Sequence, residues 1–238
     1  MLEQIPVSNI LFLDIETVPQ SRNYSELPDI MQQLWDKKSS HFRNDDQSAE
    51  EVYNRAGIYA EFGKIICISL GIFDFREDMR KLRLKSLYGD DEKKILLDLS
   101  DMIDSFSAKK HITLCAHNGK EFDFPYIARR MLINGLKLPD ILNIAGRKPW
   151  ETNLLDTMEL WKFGDYKHYT SLELLAAIFN IPNPKDEIDG SMIDGLYWQE
   201  KNIDIIVKYC EKDVIAIAQL LLRYKGEELV NPTDIVKT

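Results

Sequence analysis

The amino-acid sequence predicts a layered α/β domain, in which a β-sheet packs against α-helices. Three observations lead to this prediction. Short apolar runs are typical of strands, and longer segments space their apolar residues as helices do. The order is three strands, a helix, a fourth strand and then further helices. No linker rich in glycine, serine or proline divides the 238 residues, so we expect a single domain over residues 1–238.

The predicted strands are apolar or alternating segments. Residues 10–13 and 64–73 are apolar enough to be buried strands. Residues 81–87 alternate between apolar and polar side chains, as a half-exposed strand does. Residues 111–116 form a fourth apolar run and lead directly into His117.

The predicted helices are recognised by the period of their apolar residues and by their end signals. Residues 91–106 have helical spacing, and residues 124–134 form a second such segment that Gly135 is placed to end. Residues 170–173 read Thr-Ser-Leu-Glu, a capping box that opens a further helix. The last helix spans about residues 203–224 and carries one apolar stripe.

Residues 20–61 lie between the first two strands and are too many for an ordinary connection. Their mixture of polar residues and helical pattern predicts a partly helical insertion. Two interpretations remain open, an extra pair of surface helices or a flap over a functional site, and the first is slightly favoured.

Composition and charge exclude several classes of protein. The formal net charge of −9 excludes a globally basic coat for non-specific nucleic-acid binding. No apolar run approaches the roughly 20 residues of a membrane span, and the N-terminus lacks the pattern of a signal peptide. Cys67, Cys115 and Cys210 are odd in number and widely spaced, which predicts neither a disulfide framework nor a zinc site. We therefore expect a cytoplasmic protein with no membrane partner.

Asp14 and Glu16 are two residues apart at the end of the first apolar run. The period of two in a strand places both carboxylates on one face, where they repel each other. A divalent cation relieves that repulsion, and ligands that are all oxygen suit magnesium or manganese. A solvated strand end explains the same two residues equally well.

Two further segments carry carboxylates beside predicted helices. Tyr209 and Asp213 lie one turn apart on the flank of the last helix, where they serve a site or simply lie at the surface. Asp123 precedes the helix at 124–134, so it is a candidate for its N-cap as well as for a metal ligand.

Taken together, these segments resemble the three motifs of the DEDDy 3′–5′ exonucleases. Residues 12–17 resemble Exo I, residues 117–123 resemble Exo II in its Asn-x-x-x-Phe-Asp form, and residues 209–213 resemble the Tyr-x-x-x-Asp form of Exo III. The similarity is greatest to stand-alone exonucleases related to the proofreading domain of family B DNA polymerases. Residues 63–69 and 189–191 also resemble that group, as does the insertion.

The resemblance implies a ribonuclease H-like fold, with a mixed β-sheet flanked by α-helices. It also implies phosphodiester hydrolysis with two divalent cations, Mg²⁺ or Mn²⁺. Asp14 is implied to bridge both cations, Glu16 and Asp213 to complete one site, and Asp123 to act at the other. Tyr209 is implied to orient the attacking water.

The implied substrate is the 3′ end of a nucleic acid, most simply single-stranded DNA, with RNA possible. The matching positions for substrate contact are Thr17, Asn118 and Phe122, although Phe122 fits the core equally well. Protein partners are unknown.

A locally basic stretch suits such a substrate. Residues 109–149 contain eight Lys or Arg against three acids, a net charge of +5. Arg129 and Arg130 are the best candidates for phosphate contact. The aromatic candidates for base stacking are Trp150, Trp161, Tyr166 and Tyr169.

Three rival functions fit part of the pattern. A ribonuclease D-like exoribonuclease shares the four carboxylates and the tyrosine. A non-catalytic nucleic-acid-binding module keeps the same fold, but it does not need acids that repel one another. A haloacid-dehalogenase-like phosphatase begins with Asp-x-Asp, whereas Glu16 occupies the second position here and no Asp-Asp pair follows a later strand in the required way.

Overall fold

The computed structural model describes residues 2–75, 80–165, 169–182 and 188–238. Within these residues, six strands form one mixed sheet in the order β5-β4-β1-β2-β3-β6. The strands are β1 Ile10–Pro19, β2 Gly63–Asp74, β3 Lys81–Tyr88, β4 Thr113–Ala116, β5 Leu154–Asp156 and β6 Ile235–Lys237. The pairs β1–β2 and β2–β3 are antiparallel, and the pairs β1–β4, β4–β5 and β3–β6 are parallel.

Helices cover both faces of this sheet. They are α1 Asp29–Ser39, α2 Glu92–Ser107, α3 Asp123–Ile133, α4 Thr157–Lys162, α5 Leu172–Ile178, α6 Ile193–Trp198 and α7 Ile203–Tyr224. The alternation of side chains along β1 divides the core, since Leu11 and Leu13 pack with α2 and α3 while Ile10 and Phe12 pack with α7. The α/β fold predicted from the sequence is therefore confirmed. No helix in the described ranges combines the length and apolar character needed to cross a membrane.

The structure departs from the predicted elements where local patterns carry little signal. The first strand continues through Asp14 and Glu16 to Pro19, because β1 keeps pairing with β2 as far as Pro19 and Gly63. The strands β5 and β6 have only three residues each, too few to show a period. Asp123 is the first residue of α3 rather than its N-cap, a position that Phe122 occupies.

The insertion at residues 20–61 has one α-helix, α1, and short 3₁₀ turns that include Tyr53–Ile58. Its small core surrounds Trp35, which is fully buried and donates its indole N–H to the carbonyl of Ala49 at 2.8 Å. This segment is thus packed around its own aromatic centre. Whether residues 1–238 form a single functional domain stays a prediction.

Arg130, a predicted phosphate contact, is instead buried beneath the sheet. Its guanidinium donates to both carboxylate oxygens of Glu92, at 2.8 and 2.6 Å, and to the carbonyl of Ala60 at 2.8 Å. Glu92 also accepts the backbone N–H of Ile65 at 2.7 Å. The prediction for Arg130 is therefore wrong, because this arginine joins α3 to α2 and β2, whereas Arg129 is exposed.

Replacing Arg130 tests this assignment. We expect Arg130→Met to lower the free energy of unfolding by about 3–5 kcal/mol, because Glu92 is left as a buried charge without its partner. The matched exposed variant, Arg129→Met, should change it by less than about 0.5 kcal/mol. Urea unfolding followed by circular dichroism measures both, and equal effects of the two variants would contradict the structural role of Arg130.

Candidate active site

Two carboxylates of the site come from β1. Asp14 and Glu16 pair with Ser69 and Cys67 of β2 and share the face of β1 that packs against α7. The register of β1 and β2 shifts directly after Glu16, because Cys67 pairs with Glu16 and Ile65 with Thr17, which leaves Ile66 of β2 as the extra residue of a β-bulge. The alternation along β1 continues, so the acid pair lies on one face of the strand and Thr17 on the other.

The helix α7 brings Tyr209 and Asp213 to the same place. The thiol of Cys210 donates to the backbone carbonyl of Asp14 at 3.3 Å and so fastens α7 to β1. The helix α7 packs closely against β2 at Gly71, because this residue has no side chain. A β-carbon there would lie 2.7 Å from Cγ1 of Val214. The contact sets which turn of α7 faces the acids of β1.

Asp123 reaches the site from the opposite side of the sheet end. The parallel pairing of β1 with β4 places the segment after β4 beside Asp14, and this segment leads into α3. One carboxylate oxygen of Asp123 accepts the backbone N–H of Ile15 at 3.2 Å. This bond joins residues that are 108 positions apart. It holds the Asp123 carboxylate against the backbone of Ile15, the residue between Asp14 and Glu16 in β1.

A cavity of about 280 Å³, the carboxylate cavity, is lined by these groups. Its lining residues are Asp14, Ile15, Glu16, His117, Asn118, Phe122, Asp123, Tyr169, Tyr209 and Asp213. The structure thus brings together all four carboxylates and the tyrosine named from the sequence, with two of the three predicted substrate contacts. The third, Thr17, lines a separate neighbouring cavity, the Thr17 cavity, which lies between β1, the turn Tyr53–Ile58 and residues 190–200.

The electrostatics of the carboxylate cavity are those of crowded acids. Burial, and then the charges of Asp213, Asp123 and Glu16, raise the pKa of Asp14 well above its usual range. Burial raises the pKa of Asp123 to about 7. The pKa of Tyr209 also rises, first through burial and then through Asp213, so its phenol keeps its proton.

The donor set of the cavity fits hard divalent cations. Carboxylate oxygens are the ligands that Mg²⁺ and Mn²⁺ prefer, and a cation would offset both the burial and the repulsion that raise the pKa of Asp14. The sulfur of Cys210 also lies within 4.8 Å of ligand atoms of Asp14 and Glu16. Burial raises the pKa of this thiol well above its usual range, so it stays protonated and acts as a donor.

Sequence reasoning missed Asp156, which shapes the rim of the carboxylate cavity. Its carboxylate is buried and accepts four backbone N–H groups, from Asn118 at 3.0 Å, Lys120 at 3.1 Å, Met158 at 2.9 Å and Glu159 at 3.4 Å. It caps α4 and at the same time holds the segment that leads to α3. The available signal was an Asp directly after two leucines and before a helix, which is typical of an N-cap.

The predicted contacts Asn118 and Phe122 lie on that held segment. Asn118 has a φ of +61°, a left-handed conformation that asparagine tolerates better than most residues. Its buried side-chain oxygen has no hydrogen-bond partner within the described parts of the chain. Phe122 is half-buried, 5.3 Å from the ring of Tyr126, and its side chain lines the cavity. The roles of both residues stay predictions.

His117 is fixed behind this segment. Its ring nitrogens bond with the hydroxyl of Thr157 and the carbonyl of Thr170, each at 2.9 Å. Burial lowers its pKa, so the imidazole is neutral near pH 7 and its bonding positions are already occupied. This arrangement suits a structural role.

The predicted stacking residues divide into core and surface. Trp161 is partly buried and packs against Phe179 and Tyr224, beside the small apolar cluster around Leu175 and Leu220. Trp150 and Tyr169 are 77% and 67% exposed, and Tyr169 also lines the carboxylate cavity. Tyr166 lies outside the described residues.

Comparison with known proteins gave two similarities. Residues 58–229 match the model of a family described as a predicted 3′–5′ exonuclease related to the exonuclease domain of PolB. The family B DNA polymerase of the hyperthermophilic archaeon Pyrobaculum calidifontis has a similar structure, with a TM-score of 0.54 and 14% identity. That similarity covers 92% of this chain and 24% of the polymerase chain, so this chain spans less than a quarter of the polymerase. None of the curated proteins matches the sequence.

These findings confirm the family resemblance and the predicted ribonuclease H-like fold. The matched stretch contains Asp123, Tyr209 and Asp213, and it begins after Asp14 and Glu16. The assignment of Asp14 and Glu16 to the candidate site therefore rests on the geometry of the carboxylate cavity.

The raised pKa of Asp123 predicts how pH affects the stability of the metal-free protein. Its pKa rises from 3.8 to about 7 on folding, so between these values the folded state binds more protons than the unfolded state. The stabilisation is present below pH 3.8 and is lost as the pH rises through about 7. We expect Asp123→Asn to remove this loss, since its amide oxygen still accepts the N–H of Ile15.

Urea unfolding in EDTA at several pH values between 4 and 8 measures the effect, with Asp98→Asn as the control. Asp98 is an exposed acid that pairs with Lys94 on α2, away from the carboxylate cavity. The variant Asp123→Asn should gain stability over the wild type as the pH rises. A difference that does not change with pH would contradict the electrostatic account.

Proposed function

Because this chain belongs to the family of predicted 3′–5′ exonucleases related to the exonuclease domain of PolB, we propose that it is a metal-dependent 3′–5′ exonuclease. Its substrate would be the 3′ end of single-stranded DNA, and residues 1–238 would act as a single exonuclease domain. One observation carries the proposal: four carboxylates and a tyrosine from three separate parts of the chain line the carboxylate cavity.

The residues that would hold two divalent cations, Mg²⁺ or Mn²⁺, are Asp14, Glu16, Asp123 and Asp213. Such cations supply positive charge for the attacking and leaving oxygens of a phosphodiester displacement. The protein contributes the fixed positions of the four acids, because β1, α3 and α7 are joined by the bonds of Asp123 and Cys210. Supporting this assignment, the pKa of Asp14 is raised first by burial and then by the charges of the other three acids.

Tyr209 would orient the attacking water. Its raised pKa keeps the phenol protonated, so it is a hydrogen-bond donor and not a general base. The tyrosine is 7% exposed, and its position one turn before Asp213 on α7 directs it to the edge of the acid group.

Asn118 and Phe122 would receive the terminal nucleotide. The unpartnered oxygen of Asn118 would accept a hydrogen bond from the 3′-hydroxyl, and the ring of Phe122 would contact sugar or base. Thr17 would contact the substrate from the neighbouring Thr17 cavity. A net charge of −9 leaves little general attraction for DNA, so recognition would rest on these local contacts.

A cytoplasmic location is also part of the proposal. Its support is that Cys67, Cys115 and Cys210 are all buried free thiols, as is usual in a reducing compartment.

A cleavage assay with a charge-removing variant tests the activity. We expect a ladder that shortens 5′-labelled single-stranded DNA from its 3′ end in Mg²⁺ or Mn²⁺. Asp14→Asn should lower the rate by about 10³-fold or more, because losing several kcal/mol of transition-state stabilisation has that effect. The control Asp98→Asn should cleave like the wild type, since Asp98 lies on the exposed face of α2.

Other results would redirect the proposal. Full activity in Asp14→Asn would contradict the assignment of Asp14 to the active site. A ladder on RNA but not on DNA would favour the ribonuclease D-like alternative, and absence of both cleavage and metal binding would favour a non-catalytic binding module. Duplex DNA with a recessed 3′ end, tested beside the single strand, reports the strand preference.

A further inference from the structure

A further cavity of about 820 Å³, the basic groove, lies between β2, β3 and the C-terminal end of α2. Its volume is within the range of ligand-binding clefts. Leu11 lines it from the face of β1 that packs against α2, whereas Asp14 and Glu16 share the opposite face of this strand. The basic groove is therefore separate from the carboxylate cavity, and the proposed exonuclease chemistry does not use it.

The floor of the basic groove is an apolar part of the sheet that α2 leaves partly uncovered. Leu11 of β1 lies opposite Ile72 of β2, and Leu70 shares the face of Ile72 two residues earlier. Met102 and Phe106, one turn apart on α2, form an apolar wall. Ile72, Met102 and Phe106 pack against the main core but are only partly buried. Apolar surface with a polar rim is typical of protein–protein interaction sites.

The strand β3 adds a basic bank along this floor. In the antiparallel pairing of β2 with β3, Arg83 lies opposite Ile72 and Lys85 lies opposite Leu70. Both basic residues therefore share the face of the sheet that forms the floor. Arg83 pairs with Asp74 at 3.4 Å, and Lys85 is exposed.

The second basic bank follows the end of α2. Lys109 is exposed, and the ammonium group of Lys110 donates to the backbone carbonyl of Ser8. Neither Lys85 nor Lys109 has a salt-bridge partner within the described ranges of the chain. The described side chains that line the groove thus carry four positive charges against the one negative charge of Asp74, although the whole chain has a net charge of −9.

The shape of this charge pattern fits a peptide better than a nucleic-acid strand. Single-stranded nucleic acid is bound by aromatic side chains that stack on its bases, whereas Leu11, Leu70 and Ile72 give the floor an aliphatic surface. Lys109 and Lys110 belong to the basic stretch at residues 109–149, but here they lie beside that aliphatic floor. An apolar floor between two basic banks complements a segment that carries both apolar and acidic side chains.

We propose that the basic groove binds an acidic, apolar segment of a partner protein. Its apolar side chains would cover Ile72, Met102 and Phe106, and its carboxylates would pair with Lys85 and Lys109. This interaction goes beyond the proposed exonuclease function and does not depend on it.

Selection from a random library of short displayed peptides, with the full chain as the bait, tests the chemistry of the occupant. We expect the selected peptides to combine Asp or Glu with several Leu, Ile, Met or Phe. A library that yields no binding peptide, or peptides without acidic residues, would overturn the proposal.

Charge reversal on the two banks tests where a selected peptide binds. Fluorescence anisotropy of the labelled peptide should give a Kd about tenfold or more higher for the double variant Lys85→Glu, Lys109→Glu, because two attractive charges become repulsive. The double variant Lys37→Glu, Lys93→Glu makes the same change in net charge at exposed lysines of α1 and α2 outside the groove. This control should bind like the wild type, and equal weakening by both double variants would contradict the proposed site.

A variant of the apolar wall supplies a second test. Met102→Glu places a charge on that wall and should raise the Kd of the same peptide about fivefold or more. Leu97→Glu makes the same substitution type at an exposed position of α2 and should leave the Kd unchanged. Circular dichroism verifies that both variants are folded, and wild-type affinity in folded Met102→Glu would contradict contact with the floor.

Two other occupants give different results. A short labelled oligodeoxythymidine, measured in EDTA, should bind the wild type and Lys85→Glu, Lys109→Glu equally. Weaker oligonucleotide binding by this variant, with unchanged binding of the selected peptides, would overturn the proposal in favour of a nucleic-acid strand. Light scattering after size-exclusion chromatography detects a second copy of the chain, and a dimer that this variant dissociates would also overturn it.

Discussion

The mutual repulsion of four carboxylates at one end of the sheet is the constraint on which the rest of this structure depends. Burial and neighbouring charge raise the pKa values of Asp14 and Asp123, so the folded chain keeps these groups together at a cost. Two hydrogen bonds around these acids offset part of that cost. The Ile15 N–H bonds to Asp123, and the Cys210 thiol bonds to the carbonyl of Asp14. In the proposed function, a bound divalent cation would offset the remainder.

The topology explains how distant residues reach one cavity. The parallel strands β1, β4 and β5 run in the same direction, so their carboxyl ends meet at one edge of the sheet. Asp156, at the end of β5, turns this proximity into a defined loop by binding backbone N–H groups of Asn118 and Lys120. Asp156 is therefore a positioning residue, because it acts on the candidate site through the segment that it holds.

Much of the site was predictable from the sequence because its acids obey local periods. The period of two along β1 placed Asp14 and Glu16 on one face, and the spacing of one helical turn placed Tyr209 beside Asp213. The same period places Thr17 on the opposite face of β1, so it lines a different cavity, although the family resemblance grouped it with the substrate contacts. Arg130 shares the buried face of α3 with Tyr126 and Ile127, but the partner that accommodates its charge, Glu92, lies on α2 and is not visible within α3.

Metal binding is the central claim, and titration of the apoprotein with Mn²⁺, followed by isothermal calorimetry near pH 7.5, tests it most directly. The account predicts two bound ions per chain in the wild type and in Asp98→Asn, with binding weakened or lost in Asp14→Asn. Thermal unfolding should move to higher temperature as Mn²⁺ is added, because the ion binds the folded state. Absence of binding in the wild type, or unchanged binding in Asp14→Asn, would contradict the account.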